Sequence, residues 1–159
     1  MKKQTLNLKS LIVAKKYLIL SAIIGALFFS LDTVQAQSLT NVEIENSVKK
    51  DGKYAILAQS ARHLTGAVLV GAEMKESHPE IQFVIGMAGD VVKDLAEDQS
   101  LKETVEKAEK YGIKLVVCEF AMNRLNVKKS DYHAYIETTP NVYRFMLGIQ
   151  ELGFKTLSL

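Results

Sequence analysis

Short runs of consecutive apolar residues recur along the chain after residue 53, separated by longer segments with a different spacing. Continuous apolar runs of this length are typical of strands that are buried on both faces of a sheet. The runs predict five strands, at residues 54–58, 82–85, 113–117, 134–137 and 154–157.

Between these runs, apolar residues recur every three or four positions, which predicts amphipathic helices. The predicted helices cover residues 60–77, 91–97, 100–111, 119–125 and 140–152. Ser100 and Glu103 have the spacing of a capping box, and Thr139 with Pro140 is placed to cap and open the last helix. Gly112 and Gly153 are suitable left-handed cap residues after their helices.

Strands that alternate with helices predict an α/β domain with a mostly parallel sheet and helices on both faces. In such sheets, ligands and reactive groups gather outside the carboxyl ends of the strands. We therefore expect residues 59–63, 86–90 and 118–123 to meet at one edge of the sheet.

The first 36 residues have the pattern of a secretory signal peptide. Five lysines precede an apolar run from Tyr17 to Leu31, and small or compact residues follow at Val34 and Ala36. This order predicts cleavage after Ala36, a periplasmic or secreted protein, and no membrane association after cleavage. A signal anchor is the alternative, but the fifteen apolar residues are fewer than the ~20 that a spanning helix needs.

Cleavage would change the charge of the protein. Five of the twenty Lys and Arg and one of the eighteen Asp and Glu are lost, which leaves 15 basic and 17 acidic residues, so the net charge changes from +2 to −2. Nucleic-acid binding needs clustered cations, and none cluster in the mature sequence, so we expect no nucleic-acid partner. We assign residues 37–52 to a flexible, irregular polar arm and residues 53–159 to a single domain.

Cys118 is the only cysteine of the chain and directly follows the predicted strand at 113–117. If residues 119–125 form a helix, its positive end faces the thiol, an arrangement that favours thiolate and lowers a cysteine pKa. Glu119 would act in the opposite direction if its carboxylate pointed at the sulfur. Cys118 is therefore a candidate nucleophile or carrier, and the alternative is a small buried hydrophobic residue.

Other candidate residues lie at the expected strand edge, and they form the predicted binding set of His63, Gly86, Met87, Gly89 and Asn123. His63 would serve as a base or a cationic neighbour, or else it is a solvated or capping first-turn residue. Residues 86–90 lack the spacing of a phosphate-binding loop, so a tight turn is the better interpretation. One cysteine and three scattered histidines predict no metal site, and we expect no cofactor.

Several segments carry a resemblance to a known family. The most specific is Gly112-Ile113-Lys114-Leu115-Val116-Val117-Cys118, which is followed by a short helix and Leu125-Asn126-Val127. The others are Phe83-Val84-Ile85-Gly86, Asn141-Val142-Tyr143-Arg144-Phe145 and Gln150-Glu151-Leu152-Gly153-Phe154. From about Lys53 to the C-terminus, the chain resembles the DsrE/DsrF-like sulfur-relay family.

The resemblance implies a three-layer α/β/α domain with a five-stranded parallel sheet that assembles as a homo-oligomer, a trimer or a hexamer. It also implies that Cys118 accepts sulfur as a persulfide and passes it on, with a protein or a small thiol as donor and acceptor. Leu69 and Val70 make the helix at 60–77 apolar nearly all round, which independently favours a subunit contact.

The sequence therefore predicts an exported, oligomeric sulfur or thiol carrier, at most a sulfur-transfer protein rather than a multiple-turnover enzyme. Two alternatives belong to other functional classes. One is a non-catalytic oligomeric binding module in which Cys118 is structural, and the other is a thiol redox sensor.

Overall fold

The computed structural model describes residues 38–159, so the predicted signal peptide at 1–36 lies outside the described residues. The strands are β1 Lys53–Ala58, β2 Gln82–Met87, β3 Lys114–Cys118, β4 Glu137–Thr139 and β5 Lys155–Ser158. The α-helices are α1 Asn41–Asn46, α2 Ala61–Ser77, α3 Val91–Glu97, α4 Lys102–Lys110, α5 Glu119–Leu125 and α6 Val142–Glu151. None of the helices within residues 38–159 has the length and the apolar composition that a membrane span requires.

The five strands form one parallel sheet in the order β4-β3-β2-β1-β5. Parallel strands need crossover connections, and helices supply them here, which is why the strand runs and the helical spacing alternate along the sequence. The predicted α/β class with a five-stranded parallel sheet is confirmed.

The sheet separates two apolar cores, because successive side chains of each strand point to opposite faces. On one face, α2, α3 and α4, together with Met122 of α5, cover Ile56, Ile85, Leu115 and Val117, among other buried residues. On the other face, α6 covers Ala55, Leu57, Val84 and Val116 with its buried Val142, Met146 and Ile149. This arrangement of helices, sheet and helix is consistent with the predicted three-layer domain.

Two predicted helix starts are wrong, because other side chains take the capping role. The capping box at Ser100 does not form, and the Asp98 carboxylate instead accepts a hydrogen bond from the Ser100 N–H at 2.9 Å. The last helix is capped by Asn141 rather than opened by Thr139 and Pro140. The Asn141 side-chain oxygen accepts from the N–H groups of residues 143 and 144 at 3.0 and 3.2 Å.

The fourth strand begins three residues later than predicted. Tyr135 and Ile136 lie outside the sheet and pack with the core beneath α2, α3 and α4. The Tyr135 hydroxyl donates to the Ile113 carbonyl oxygen at 2.9 Å. Ile136 is 1% exposed in this core, so its apolar character reflects the packing of a loop and not of a strand. Pairing with β3 begins only at Glu137, opposite Val116.

The segment that precedes β1 contains local order that the sequence pattern did not predict. The helix α1 begins after Thr40, whose hydroxyl accepts from the Glu43 N–H at 3.3 Å, while the Glu43 carboxylate accepts from the Thr40 N–H at 2.8 Å. This reciprocal pair is a capping box.

Part of the surface of α2 is apolar and exposed. Leu69 and Val70 are 51% and 49% exposed, whereas the opposite side of the helix is buried. This is the surface on which the subunit contact was predicted from the sequence. The homo-oligomer itself stays a prediction.

Gly86 allows α6 to approach β2 closely, since a Cβ there would lie 2.9 Å from Val142 Cγ2 and 3.0 Å from Met146 Sδ. The branched Val142 side chain has few alternative rotamers, so Gly86→Ala should displace α6 and lower the free energy of unfolding by about 1–3 kcal/mol. The matched control is Gly148→Ala within α6, where an added Cβ meets nothing within 4 Å. That variant should gain roughly 0.5–1 kcal/mol. Urea unfolding measures both, and equal stability of Gly86→Ala and wild type would contradict the packing argument.

Tyr132 fastens the loop before β4 to α3. Its hydroxyl donates to the Val92 carbonyl oxygen at 2.8 Å, and the residue is 8% exposed. Tyr132→Phe removes this buried hydrogen bond, so we expect a loss of about 0.5–1.5 kcal/mol in the free energy of unfolding. Tyr143→Phe is the control, because its side chain is 53% exposed and such changes stay within about 0.5 kcal/mol.

Because Tyr132 is buried, we expect the stability of the protein to depend on pH in the alkaline range. Burial, with a smaller contribution from Asp131, raises the pKa of Tyr132 above the ordinary tyrosine value. The folded state therefore keeps the phenolic proton more firmly than the unfolded chain, and this stabilisation is lost as the pH rises above about 10. The stability difference between wild type and Tyr132→Phe should shrink from pH 9 to pH 11 in urea titrations. A constant difference would contradict it.

Candidate functional site

Cys118 is the last residue of β3, and the alternation of that strand determines which core it joins. Leu115 and Val117 point to the face covered by α2, α3 and α4, whereas Val116 and Cys118 point to the α6 face. Cys118 is 2% exposed and pairs in register with Thr139 of β4. The thiol therefore lies at the carboxyl edge of the sheet, on the face that α6 covers.

A crevice of about 240 Å³ opens at this edge, and Cys118 is part of its lining. Three elements surround it: the turn between β2 and α3, one side of α5, and the first turn of α6. The lining residues besides Cys118 are Ala88, Gly89, Asp90, Phe120, Ala121, Arg124, Leu125 and Tyr143.

The turn after β2 is held against the end of β1. Gly89 has a φ of +68°, and a Cβ there would lie 3.0 Å from the Gln59 carbonyl oxygen, so this position requires glycine on both grounds. The Ala88 N–H donates to the Ala58 carbonyl oxygen at 3.2 Å. The turn therefore forms a fixed wall of the crevice.

The start of α5 is anchored to the segment between β4 and α6. The Phe120 N–H donates to the Pro140 carbonyl oxygen at 3.3 Å. The Glu119 carboxylate accepts from the Thr138 hydroxyl at 2.7 Å, so it is engaged with β4. Cys118 occupies the N-cap position of α5, but its side chain makes no capping hydrogen bond.

Two opposite charges lie in the lining of the otherwise apolar crevice. The Arg124 guanidinium lies 5.9 Å from the ring centroid of Phe120, a cation–π distance. Asp90 occupies the N-cap position of α3, yet its side chain makes no capping hydrogen bond. Within residues 38–159, neither Asp90 nor Arg124 forms a salt bridge.

The structure brings only part of the predicted site together. Cys118 and Gly89 line the same crevice. Met87 is completely buried in the core on the opposite face of the sheet, and Gly86 lies against the side chains of α6. Asn123 is exposed on α5, outside the crevice lining.

His63 is placed away from the crevice. It lies in the first turn of α2, and its backbone N–H donates to the hydroxyl of the N-cap Ser60 at 3.3 Å. Its Nδ1 is buried and has no hydrogen-bond partner in the described part of the chain.

The most informative residues that the sequence prediction missed are Phe120 and Arg124 on α5 and Tyr143 on α6. Phe120, Ala121, Arg124 and Leu125 have the spacing of one helix side, so the helix that follows Cys118 carried a usable signal. Tyr143 carried no such signal, because it reaches the crevice from a helix that begins 24 residues after the cysteine.

No family model and no curated protein matched the chain. Solved structures do share its fold. The MTH1491 protein of unknown function from Methanobacterium thermoautotrophicum has a TM-score of 0.58 at 9% identity, over 67% of this chain and 96% of that one. The conserved BT1422 protein of unknown function from Bacteroides thetaiotaomicron has a TM-score of 0.57 at 19% identity, over 72% and 100%. The ychN protein from E. coli has a TM-score of 0.58 at 11% identity, over 68% and 99%.

These neighbours are DsrE-like or YchN-family proteins, so they are consistent with the DsrE-like fold that the sequence resemblance implies. At identities this low, the likeness shows the fold alone. A shared fold does not establish a shared function.

The crevice predicts how the size of a reagent affects its access to Cys118. In the native protein, N-ethylmaleimide should alkylate Cys118 much faster than fluorescein maleimide does. The two reagents share one reactive group, and the crevice of about 240 Å³ has no room for the larger dye. In denaturant this selectivity should disappear, and Cys118→Ala should show no labelling. Reaction of either reagent only after unfolding would identify Cys118 as an inaccessible structural cysteine.

Proposed function

We propose that this protein is a carrier of sulfane sulfur, which it holds as a persulfide on Cys118. The observation that carries the proposal is the position of the thiol: the only cysteine of the chain lines an apolar crevice at the carboxyl edge of a parallel sheet. Ligands of α/β sheets collect at this edge. The resemblance to the sulfur-relay family, in which the cysteine after the third strand accepts sulfur, supports the same role.

The transfer needs no external oxidant. The Cys118 thiolate attacks the outer sulfur of a donor persulfide, a new S–S bond forms, and the donor leaves as a thiolate. An acceptor thiolate then attacks the outer sulfur on Cys118 and regenerates the Cys118 thiolate. Each step breaks one S–S bond and makes one, so atoms, electrons and charge balance.

The surroundings of Cys118 suit storage better than turnover. Its apolar neighbours in the core on the α6 face include Ala88, Val116 and Val142. Such a surface would shield a persulfide from water and from other thiols. Among the described residues, the lining contains no histidine, lysine or second cysteine. Among those residues, Asp90 and Tyr143 are the side chains besides Cys118 that could take part in proton transfer. A lining with so few such groups favours a carrier over an enzyme with acid–base chemistry.

Sulfur loading tests the proposal directly. Incubated with inorganic polysulfide, the reduced protein should gain the mass of one sulfur atom per chain, and Cys118→Ser should gain none. Cyanide should then remove the sulfur as thiocyanate and restore the original mass. Intact-mass spectrometry measures all three states, and circular dichroism verifies that the Cys118→Ser variant is folded.

Two results would contradict the carrier and favour the alternatives. A thiol that is alkylated in the native state but takes up no sulfur would favour a redox sensor, whose products are a sulfenate or a mixed disulfide. A thiol that is neither alkylated nor sulfurated would favour a binding module with a structural cysteine.

A further inference from the structure

We infer that the crevice selects a small zwitterionic donor, an α-amino-acid persulfide such as cysteine persulfide, through Asp90 and Arg124. The inference rests on the proposed carrier function of Cys118 and adds the chemical class of the donor.

The first argument concerns charge. Asp90 and Arg124 line one crevice, and within residues 38–159 neither forms a salt bridge. Asp90 does not use its carboxylate to cap α3 either. An α-amino acid carries an ammonium and a carboxylate on the same carbon, so it supplies one partner for each side chain. Hydrogen bonds between ionised groups are the stronger ones, and a guanidinium suits a carboxylate because it can bind both oxygens.

The same pair disfavours donors of a single charge. An anion such as thiosulfate would be attracted by Arg124 but repelled by Asp90. A cationic aminothiol would be attracted by Asp90 but repelled by Arg124. Only a donor with both charges gains from both residues. In the described part of the chain, the crevice lining holds no other charged side chain that would change this balance.

The second argument concerns size. Sites for drug-sized ligands occupy ~300–1,000 Å³, whereas this crevice has about 240 Å³. Cys118 is only 2% exposed, so a reacting sulfur must enter the crevice to reach it. These dimensions favour a donor of amino-acid size over a tripeptide persulfide or a persulfide on the surface of a folded partner.

The third argument concerns the order of groups in the donor. Side chains of Phe120 and Tyr143 offer aromatic surface in the lining, against which the CH₂–S–S arm of the donor can pack. With the charged carbon at Asp90 and Arg124, the outer sulfur is the end that approaches Cys118. Its transfer to the Cys118 thiolate breaks the donor S–S bond and releases cysteine as its thiolate.

Four matched donors test the inference. Hydrogen sulfide cleaves a symmetrical disulfide into a persulfide and a thiol. Cystine gives a persulfide whose organic group carries both an ammonium and a carboxylate, and bis(2-hydroxyethyl) disulfide gives one whose organic group carries neither. N,N′-diacetylcystine gives a persulfide with the carboxylate only, and cystamine gives one with the ammonium only. The initial rate of sulfur gain on Cys118 is followed by intact-mass spectrometry at equal persulfide concentrations. Cysteine persulfide should load roughly three- to tenfold faster than each of the other three, the scale of one additional charge-assisted hydrogen bond at an exposed rim.

Variants identify which residue binds each charged group of the donor. In Arg124→Gln the advantage of cysteine persulfide over the cystamine-derived donor should vanish, and in Asp90→Asn its advantage over the acetylated donor should vanish. Each rate is compared with the uncharged donor in the same variant, so a change in the reactivity of the thiol cancels. Arg144→Gln and Asp94→Asn are the matched controls outside the crevice lining, and they should keep the wild-type order of donors.

The outcomes separate the two proposals. Loading of Cys118 by all four donors at equal rates, or a preference that survives in both crevice variants, overturns the zwitterionic donor and leaves the carrier function standing. Loading by none of the donors overturns both. Both proposals are supported if cysteine persulfide loads fastest in the wild type and each crevice variant loses the advantage that depends on its charge.

Discussion

The alternation of side chains along β3 is the constraint on which the site depends. A strand sends successive residues to opposite faces, so a slip of one position would move Cys118 from the α6 face into the core beneath α2. The surface ion pair between Lys114 and Glu137, at 2.7 Å, contributes only about 0–1 kcal/mol at such exposure. Burial of the apolar residues 115–117, none of them more than 2% exposed, stabilises this register more than the ion pair does.

The unequal layers on the two faces explain why the crevice opens where it does. Helices α2, α3 and α4, with Met122 of α5, cover the face on which Met87 is completely buried. Among the described residues, the other face is covered mainly by α6, which packs closely because Gly86 has no side chain. The end of that helix at Tyr143 leaves a gap between α5 and the turn at Gly89, and Cys118 is part of its lining. Within residues 38–159, the charged side chains of this lining are Asp90 and Arg124, and the proposed recognition of a zwitterionic donor depends on this pair.

Local patterns along the chain were sufficient for the class of the fold, the parallel sheet and the location of Cys118 at the end of the third strand. Continuous apolar runs, helical spacing and glycines such as Gly112 each report on a few neighbouring residues at a time, and these features need no more than that. The same patterns misplaced β4 and two helix caps. Ile136 is apolar because of a loop contact, and Asp98 and Asn141 compete with neighbouring residues for the capping role.

The meeting of the site residues, by contrast, was settled by the packing of the whole domain. Met87 and Gly89 are two positions apart in sequence, yet one is buried in the core and the other lines the crevice, because the strand ends between them. Asp90, Arg124 and Tyr143 come together from three segments that are separated along the chain. That convergence depends on crossover connections and on layer packing, which no local pattern records.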